Sequence, residues 1–130
     1  MTLTIVRLEL ARDPEHPQGS SSHGYEFVAP LNDDGRIDAE SWRKLRKRCR
    51  VRRVWEGETD EMGHLVHRRG GTWAFHYDVA GDPDEDEPGY RFDDHVFKDG
   101  EYVSLREQDG ELMTFRVVSA RPVPEPEQKP

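Results

Sequence analysis

The sequence predicts a mainly β domain, a small antiparallel and partly closed barrel of six or seven strands with one helix. The length of 130 residues suits one compact core. Short segments of alternating apolar and polar residues recur along the chain, which is the period of half-buried strands. Glycine-containing dipeptides between two pairs of these segments indicate tight reversals. We expect residues 1–120 to form the domain and residues 121–130, which contain four prolines, to form a disordered tail.

Two strands are predicted before the helix. Residues 3–11 alternate in part and are rich in Ile, Val, Leu and Thr, so they are typical of a strand. The segment Asp13–His23 contains two prolines, one glycine and three serines, which predicts a loop. Residues 25–29 alternate again and form the second predicted strand. It ends at Pro30, because proline has no backbone N–H for the sheet.

One helix is predicted after the second strand. Asp38 is its N-cap, since a carboxylate can accept hydrogen bonds from the free backbone amides of the first turn. Ile37 and Trp42 occupy the positions of a hydrophobic staple. Trp42 shares one helix face with Cys49, which predicts that the cysteine packs inward. Residues 50–56 fit either a longer helix or a strand, and we predict a strand.

Gly70-Gly71 is the strongest turn signal, since both glycines tolerate the positive φ angles of a two-residue hairpin turn. A turn of two residues places Val66 opposite Phe75. Val66 then lies on the face that carries the aromatic residues, which we expect to be the core. Leu65 and His67 lie on the opposite face, nearer to water.

Asp109-Gly110 predicts a second hairpin by the same argument. With this dipeptide as the turn, Ser104 faces Phe115, while Val103 and Leu105 lie on the other side. Both faces of the hairpin are then partly apolar. We therefore expect both to be covered, as in a small barrel whose other elements wrap around the hairpin.

Four short segments of the C-terminal half carry a resemblance to a known family: Gly89–Phe92, His95–Phe97, Gly100–Val103 and Thr114–Val118. They resemble a small proteobacterial family to which no activity is assigned. The stretch Phe97–Val103 is also similar to the strand starts of SH3-like barrels. The similarity to SH3-like barrels implies a β-barrel fold, and neither resemblance transfers a functional site.

Composition and charge exclude several classes of protein. No stretch approaches the roughly 18 apolar residues of a membrane helix, and the N-terminus meets a charge at Arg7 without a basic lead, unlike a secretory signal. Cys49 is the one cysteine, so an internal disulfide is excluded. We therefore predict a cytoplasmic protein with no membrane partner. The formal net charge of -8 also disfavours unspecific nucleic-acid binding by the chain as a whole.

Residues 43–53, here named the basic strip, contain eight basic residues among eleven and no acidic one. Such a strip can neutralise several phosphates, and Trp42 and Trp55 at its edges can stack on bases. The alternative is a structural role in which the acidic run 82–87 covers the strip. The candidate contacts to an anion or to nucleic acid are Arg43, Arg46, Lys47, Arg50, Arg52 and Arg53.

No complete catalytic set is evident in the sequence. The predicted register gathers His67, His76 and Asp78 on one hairpin face, which makes them the candidates for a metal site. Catalytic zinc needs three protein ligands and an open position, and the spacing alone does not supply them, so we predict no metal and no other cofactor. Cys49 is flanked by arginines that favour a thiolate, but no histidine lies close in sequence to act as its base.

The best hypothesis from the sequence is a non-catalytic cytoplasmic binding or accessory module with an unidentified macromolecular partner. It depends on the lack of a catalytic set and on the segregation of charge along the chain. Two alternatives stay open. The first is binding of RNA or single-stranded DNA through the basic strip, which the sequence permits but does not favour. The second is a small histidine-based metalloenzyme.

Overall fold

The computed structural model describes residues 1–12, 15–68, 73–78, 87–90 (backbone), 95–106 and 112–124. These residues form one sheet and one short helix. The strands are β1 (Thr2–Leu10), β2 (Ser20–Leu31), β3 (Arg50–Trp55), β4 (Glu61–His67), β5 (Trp73–Tyr77), β6 (Glu87–Tyr90), β7 (Tyr102–Arg106) and β8 (Leu112–Pro122). The helix α1 (Ala39–Leu45) continues into a 3₁₀ turn (Arg46–Arg48).

The strands close into a barrel. Each strand pairs antiparallel with the next one in the sequence, and β8 returns to pair with β1. Among the described residues, two pairs join β6 to β5 and two join it to β7. The mainly β antiparallel barrel with one helix that the sequence predicts is confirmed. β6 brings the described strands to eight, and it begins at Glu87, the last residue of the predicted acidic run.

The barrel interior is apolar and largely aromatic. Tyr25, Phe27, Phe75 and Phe115 are each at most 1% exposed. Three contacting pairs among them have ring centroids 5.2–5.3 Å apart. Burial of each such side chain contributes about 1.5–3 kcal/mol relative to leaving it in water. The fold therefore depends mainly on one core cluster inside the barrel.

The hairpin of β4 and β5 is present, but its register is shifted by one residue from the prediction. Leu65, not Val66, pairs with Phe75, and five residues separate the paired His67 and Trp73. A shift of one residue exchanges the two faces of a strand. Leu65 is accordingly buried in the core, while Val66 is half-buried on the other face. The predicted core face of β4 is therefore wrong.

The hairpin of β7 and β8 shows the same shift. Val103, not Ser104, pairs with Phe115, and five residues separate the paired Arg106 and Leu112. Val103 and Phe115 are buried, whereas Arg106 and Leu112 are exposed, so the hairpin buries one face. The prediction of two covered faces is wrong. Both predicted turn dipeptides, Gly70-Gly71 and Asp109-Gly110, lie outside the described residues.

The helix forms as predicted, with Asp38 as its cap. The Asp38 carboxylate accepts hydrogen bonds from the backbone N–H groups of Glu40 at 3.1 Å and Ser41 at 3.4 Å, and from the Ser41 hydroxyl at 2.9 Å. These bonds, above all the one from the Ser41 hydroxyl, hold the pKa of Asp38 below its ordinary value against the opposing effect of desolvation. Ile37 and Trp42 are both buried at the staple positions.

The helix α1 covers one end of the barrel. The indole N–H of Trp42 donates to the Leu65 carbonyl at 2.9 Å, and the Trp42 ring lies edge-on to Trp73 with centroids 5.4 Å apart. Phe97, from the segment before β7, packs edge-on against Phe27 near the same end. Because β2 ends and β3 begins there, the basic strip starts at this end of the barrel.

Two predicted boundaries differ from the observed ones. β2 begins at Ser20, inside the segment predicted as a loop, and continues one residue past Pro30. β8 extends two residues into the predicted tail, and the Val123 N–H then donates to the Leu3 carbonyl at 2.8 Å. Residues 125–130 lie outside the described residues. In the described part of the chain, no helix is long and apolar enough to cross a membrane.

Candidate polyanion-binding surface

The structure divides the basic strip into two parts. The helix cations lie in the last turn of α1 and the 3₁₀ turn: Arg43, Lys44, Arg46, Lys47 and Arg48. The strand cations lie on β3: Arg50, Arg52 and Arg53. Cys49 separates them, since its N–H donates to the Arg46 carbonyl at 3.1 Å and its carbonyl accepts from the Leu65 N–H at 2.8 Å. These two bonds lead the chain from the helical turn into the sheet.

The five helix cations are all exposed. Within the described ranges, none of the five forms an ion pair. Trp42, just before them, and Leu45, between them, face the barrel. Trp42 is buried and Leu45 is half-buried. The end of the helix therefore presents one basic face to water. The helix dipole favours cations at this end, so they need no carboxylate to be stable there.

Two of the strand cations are exposed but paired. Arg50 Nη2 donates to Asp78 Oδ2 at 3.2 Å, and Arg50 Nη1 lies 3.2 Å from His64 Nε2. Arg52 Nη2 lies 3.9 Å from Glu26 Oε1. Exposed pairs of this kind contribute at most about 1 kcal/mol to folding. They do balance the charge locally, so a polyanion has to compete with a carboxylate at each of these arginines.

Arg53 points into the barrel, and 8% of its side chain is exposed. Its guanidinium lies 4.3 Å from the centroid of the Trp55 ring, and Nη1 is 3.1 Å from the Glu58 carboxylate and 3.6 Å from that of Glu61. The structure thus corrects the prediction of a surface contact for Arg53. Its two-residue spacing from the buried Val51 is the sequence signal that indicates the inward direction.

The two tryptophans proposed for base stacking are not free on the surface of the strip. Trp42 is 8% exposed and belongs to the core contact with Trp73. Trp55 is half-buried, its ring carries the Arg53 guanidinium, and it contacts His23 with centroids 4.7 Å apart. The stacking prediction is therefore wrong for Trp42, and the Arg53 side chain already occupies a face of Trp55.

The histidines proposed as metal ligands are separated by the register shift. His67 points inward and stacks on Trp73 with centroids 4.0 Å apart and an angle of 9° between the rings. Asp78 contacts His64 on the outer face, with Nδ1 and Oδ1 3.2 Å apart, and His76 pairs with His64 across the strands. Among the described residues, no group of three His, Cys, Asp or Glu side chains is placed to hold a metal ion.

Cys49 is buried, as the sequence predicts. Desolvation raises the pKa of its thiol to about 11, against the smaller opposing effect of Arg48. Such a thiol is protonated at neutral pH and is a poor nucleophile. The acidic run 82–87, proposed to cover the strip, lies outside the described residues except for the backbone of Glu87.

Comparison with known proteins identifies no relative. No family model matches the sequence, and neither the curated proteins nor the solved structures contain a match. Any function therefore has to be inferred from the chemistry of the surface. In the described part of the chain, the helix cations are the one dense group of like charges without ion-pair partners.

Proposed function

We propose that this protein is a non-catalytic binding module that contacts the phosphate backbone of RNA or single-stranded DNA through the helix cations. The observation that supports this proposal is the contrast within the basic strip. Five cations within six residues form no ion pair with a described residue, whereas each of the three strand cations that follow them has a carboxylate partner.

The geometry of the helix end suits a chain of phosphates. Six residues of helix extend about 9 Å, which is close to the Debye length of about 8 Å at physiological salt. The five positive charges therefore act together on a nearby anion. The net charge of -8 acts from greater distances and is largely screened, so it reduces affinity without abolishing local contact.

This mode of contact predicts little sequence preference. Lysine and arginine contacts to phosphate fix position, whereas base contacts specify sequence. Since Trp42 is buried and Trp55 carries Arg53, neither supplies a free stacking face beside the helix cations. We expect salt-sensitive binding that depends on the number of phosphates, with a slope of log K against log salt of about -3.5 for five contacts to a single strand.

Fluorescence anisotropy with a labelled RNA of about twelve nucleotides tests this function, because such a length covers a small-domain site. Three proteins are compared at about 50 and 200 mM salt, where the slope above predicts roughly a hundredfold difference for the wild type. The strand variant carries Arg50→Gln and Arg52→Gln. The helix variant carries Arg43→Gln, Lys44→Gln, Arg46→Gln, Lys47→Gln and Arg48→Gln.

We expect the helix variant to lose almost all affinity and the strand variant to bind within about threefold of the wild type, since paired surface arginines contribute little. Thermal melts of all three proteins report whether they are folded. If the helix variant is folded and binds as tightly as the wild type, the proposal is overturned. It is equally overturned if none of the three proteins binds.

A further inference from the structure

A polar groove of about 210 Å³ lies on the outside of the barrel, and none of the helix cations lines it. Its walls come from the end of β1, the start of β2 with the loop before it, and the outer face of β7 and β8. The helix cations lie at the opposite end, where β2 ends and β3 begins. The groove is therefore a surface separate from the helix cations.

The groove forms where the pairing of β1 is irregular. The register between β1 and β2 jumps from Glu9 opposite Gly24 to Leu10 opposite Ser20, which leaves residues 21–23 without partners on β1. β1 and β2 approach very closely just before the jump, since a Cβ added to Gly24 would lie 2.0 Å from the carbonyl oxygen of Leu8. Irregularities of this kind redirect side chains and are common next to binding sites. Here the jump brings Ser20 to the wall of the groove.

The side chains of the groove combine an exposed aromatic ring with two exposed cations. Tyr102 is 56% exposed and pairs across the strands with Arg116, which in turn pairs with Glu9 of β1. The Glu9 carboxylate accepts from Arg7 Nε at 3.0 Å, so its charge is already balanced. Arg12 and Arg116 are exposed and form no ion pair with a described residue.

We infer that this groove binds a single nucleotide unit, with the base stacked on Tyr102 and the phosphate held by Arg116 and Arg12. A tyrosine face accepts any base, and a guanidinium offers paired N–H donors that match phosphate oxygens. The groove is smaller than the roughly 300–1,000 Å³ of sites that enclose whole ligands. It therefore covers part of the nucleotide, and a mononucleotide binds weakly.

The test uses the amide NMR spectrum of the full-length protein titrated with adenosine monophosphate, adenosine and inorganic phosphate in turn. The expected result is saturable shifts around residues 9–12, 18–21 and 102, with adenosine monophosphate binding more tightly than adenosine or phosphate. Tyr102→Ala should weaken the binding of adenosine monophosphate roughly tenfold, which is the usual effect of removing a stacking ring. Tyr102→Phe keeps the ring and should stay within about twofold.

Arg116→Gln tests the contact to the phosphate separately from the contact to the base. It should lower the affinity for adenosine monophosphate to that for adenosine and leave adenosine binding unchanged. The inference is overturned if phosphate alone binds as tightly as the nucleotide, if Tyr102→Ala binds like the wild type, or if the shifts fall elsewhere. The helix variant described above should bind the mononucleotide normally, so this site and the proposed function can fail independently.

Discussion

The two halves of the basic strip have similar composition but opposite surroundings. The helix cations stand exposed at the end of a short helix without a described carboxylate partner. Arg50 and Arg52 lie on the outer face of β3 and Arg53 on the inner face, and each lies beside at least one carboxylate of another strand or turn. A strand brings its neighbours within reach of every side chain, whereas a helix end extends into water. Secondary structure thus decides which charges stay available to a partner.

The largest effect is expected at Arg53, the strand cation inside the barrel. Arg53→Met removes two carboxylate contacts and the contact of the cation with Trp55, while Glu58 and Glu61 stay partly hydrated. We expect the free energy of unfolding to fall by about 2–3 kcal/mol in urea denaturation. Arg52→Met, on the exposed face, is the matched control and should change it by less than about 0.5 kcal/mol. Equal effects would show that Arg53 is no more buried than Arg52.

The salt dependence of the proposed RNA binding separates the helix cations from the strand cations. Arg46→Gln combined with Lys47→Gln should reduce the slope of log K against log salt by about 1.4, because each phosphate contact to a single strand contributes about 0.7. Arg50→Gln combined with Arg52→Gln should leave the slope unchanged. A larger change in the second pair than in the first would assign the contact to β3 instead.

The stability of the helix that carries the helix cations depends on its N-cap, Asp38. Asp38→Ala should lower the free energy of unfolding by about 1 kcal/mol at neutral pH, since two backbone N–H groups lose their acceptor. The pKa of Asp38 is lowered in the folded state from its ordinary value of 3.8. Its contribution is therefore complete above that value and is lost as the pH falls through the lowered pKa.

Urea denaturation at neutral and at acidic pH measures this dependence. The difference between the wild type and Asp38→Ala should shrink as the carboxylate becomes protonated. Asp38→Asn keeps a capping oxygen without the titration and serves as the control. A difference that does not change with pH would argue against the carboxylate as the group responsible.

The smallest effect is expected in the thiol modification of Cys49, the residue between the helix cations and the strand cations. Burial raises the pKa of its thiol to about 11, so very little thiolate is present at pH 8, compared with a free cysteine of pKa about 8.5. A thiol-specific reagent should therefore modify Cys49 at the rate at which the protein unfolds, and this rate should rise with urea. Rapid modification of the native protein would show an exposed thiol.

The sequence was sufficient to predict the barrel, the helix and its cap, because these follow from local patterns. Alternation predicts strands, and Asp38 with Ile37 and Trp42 marks a helix start. The registers of both hairpins were not predictable in this way. A glycine dipeptide indicates that the chain reverses but does not fix the loop length, and five residues in place of two change which face is buried.

The site was predicted in part for a related reason. The density of charge in the basic strip is visible in the sequence, but the partners of each cation come from distant segments, such as Asp78 for Arg50 and Glu26 for Arg52. The stacking prediction for Trp42 is wrong, although the staple position beside Ile37 already indicates that this ring packs inward. The groove at Tyr102 has no local signal, since it depends on irregular pairing along β1.

A titration with a short single-stranded RNA, followed by the amide chemical shifts of the protein, gives the sharpest test of the proposed surface. We expect the RNA to shift the amides of residues 43–48 at low salt, these shifts to vanish at high salt, and residues 50–53 to move much less. Shifts centred on β3, or no saturable shift at the end of α1, would contradict the claim that the free helix cations are the binding surface.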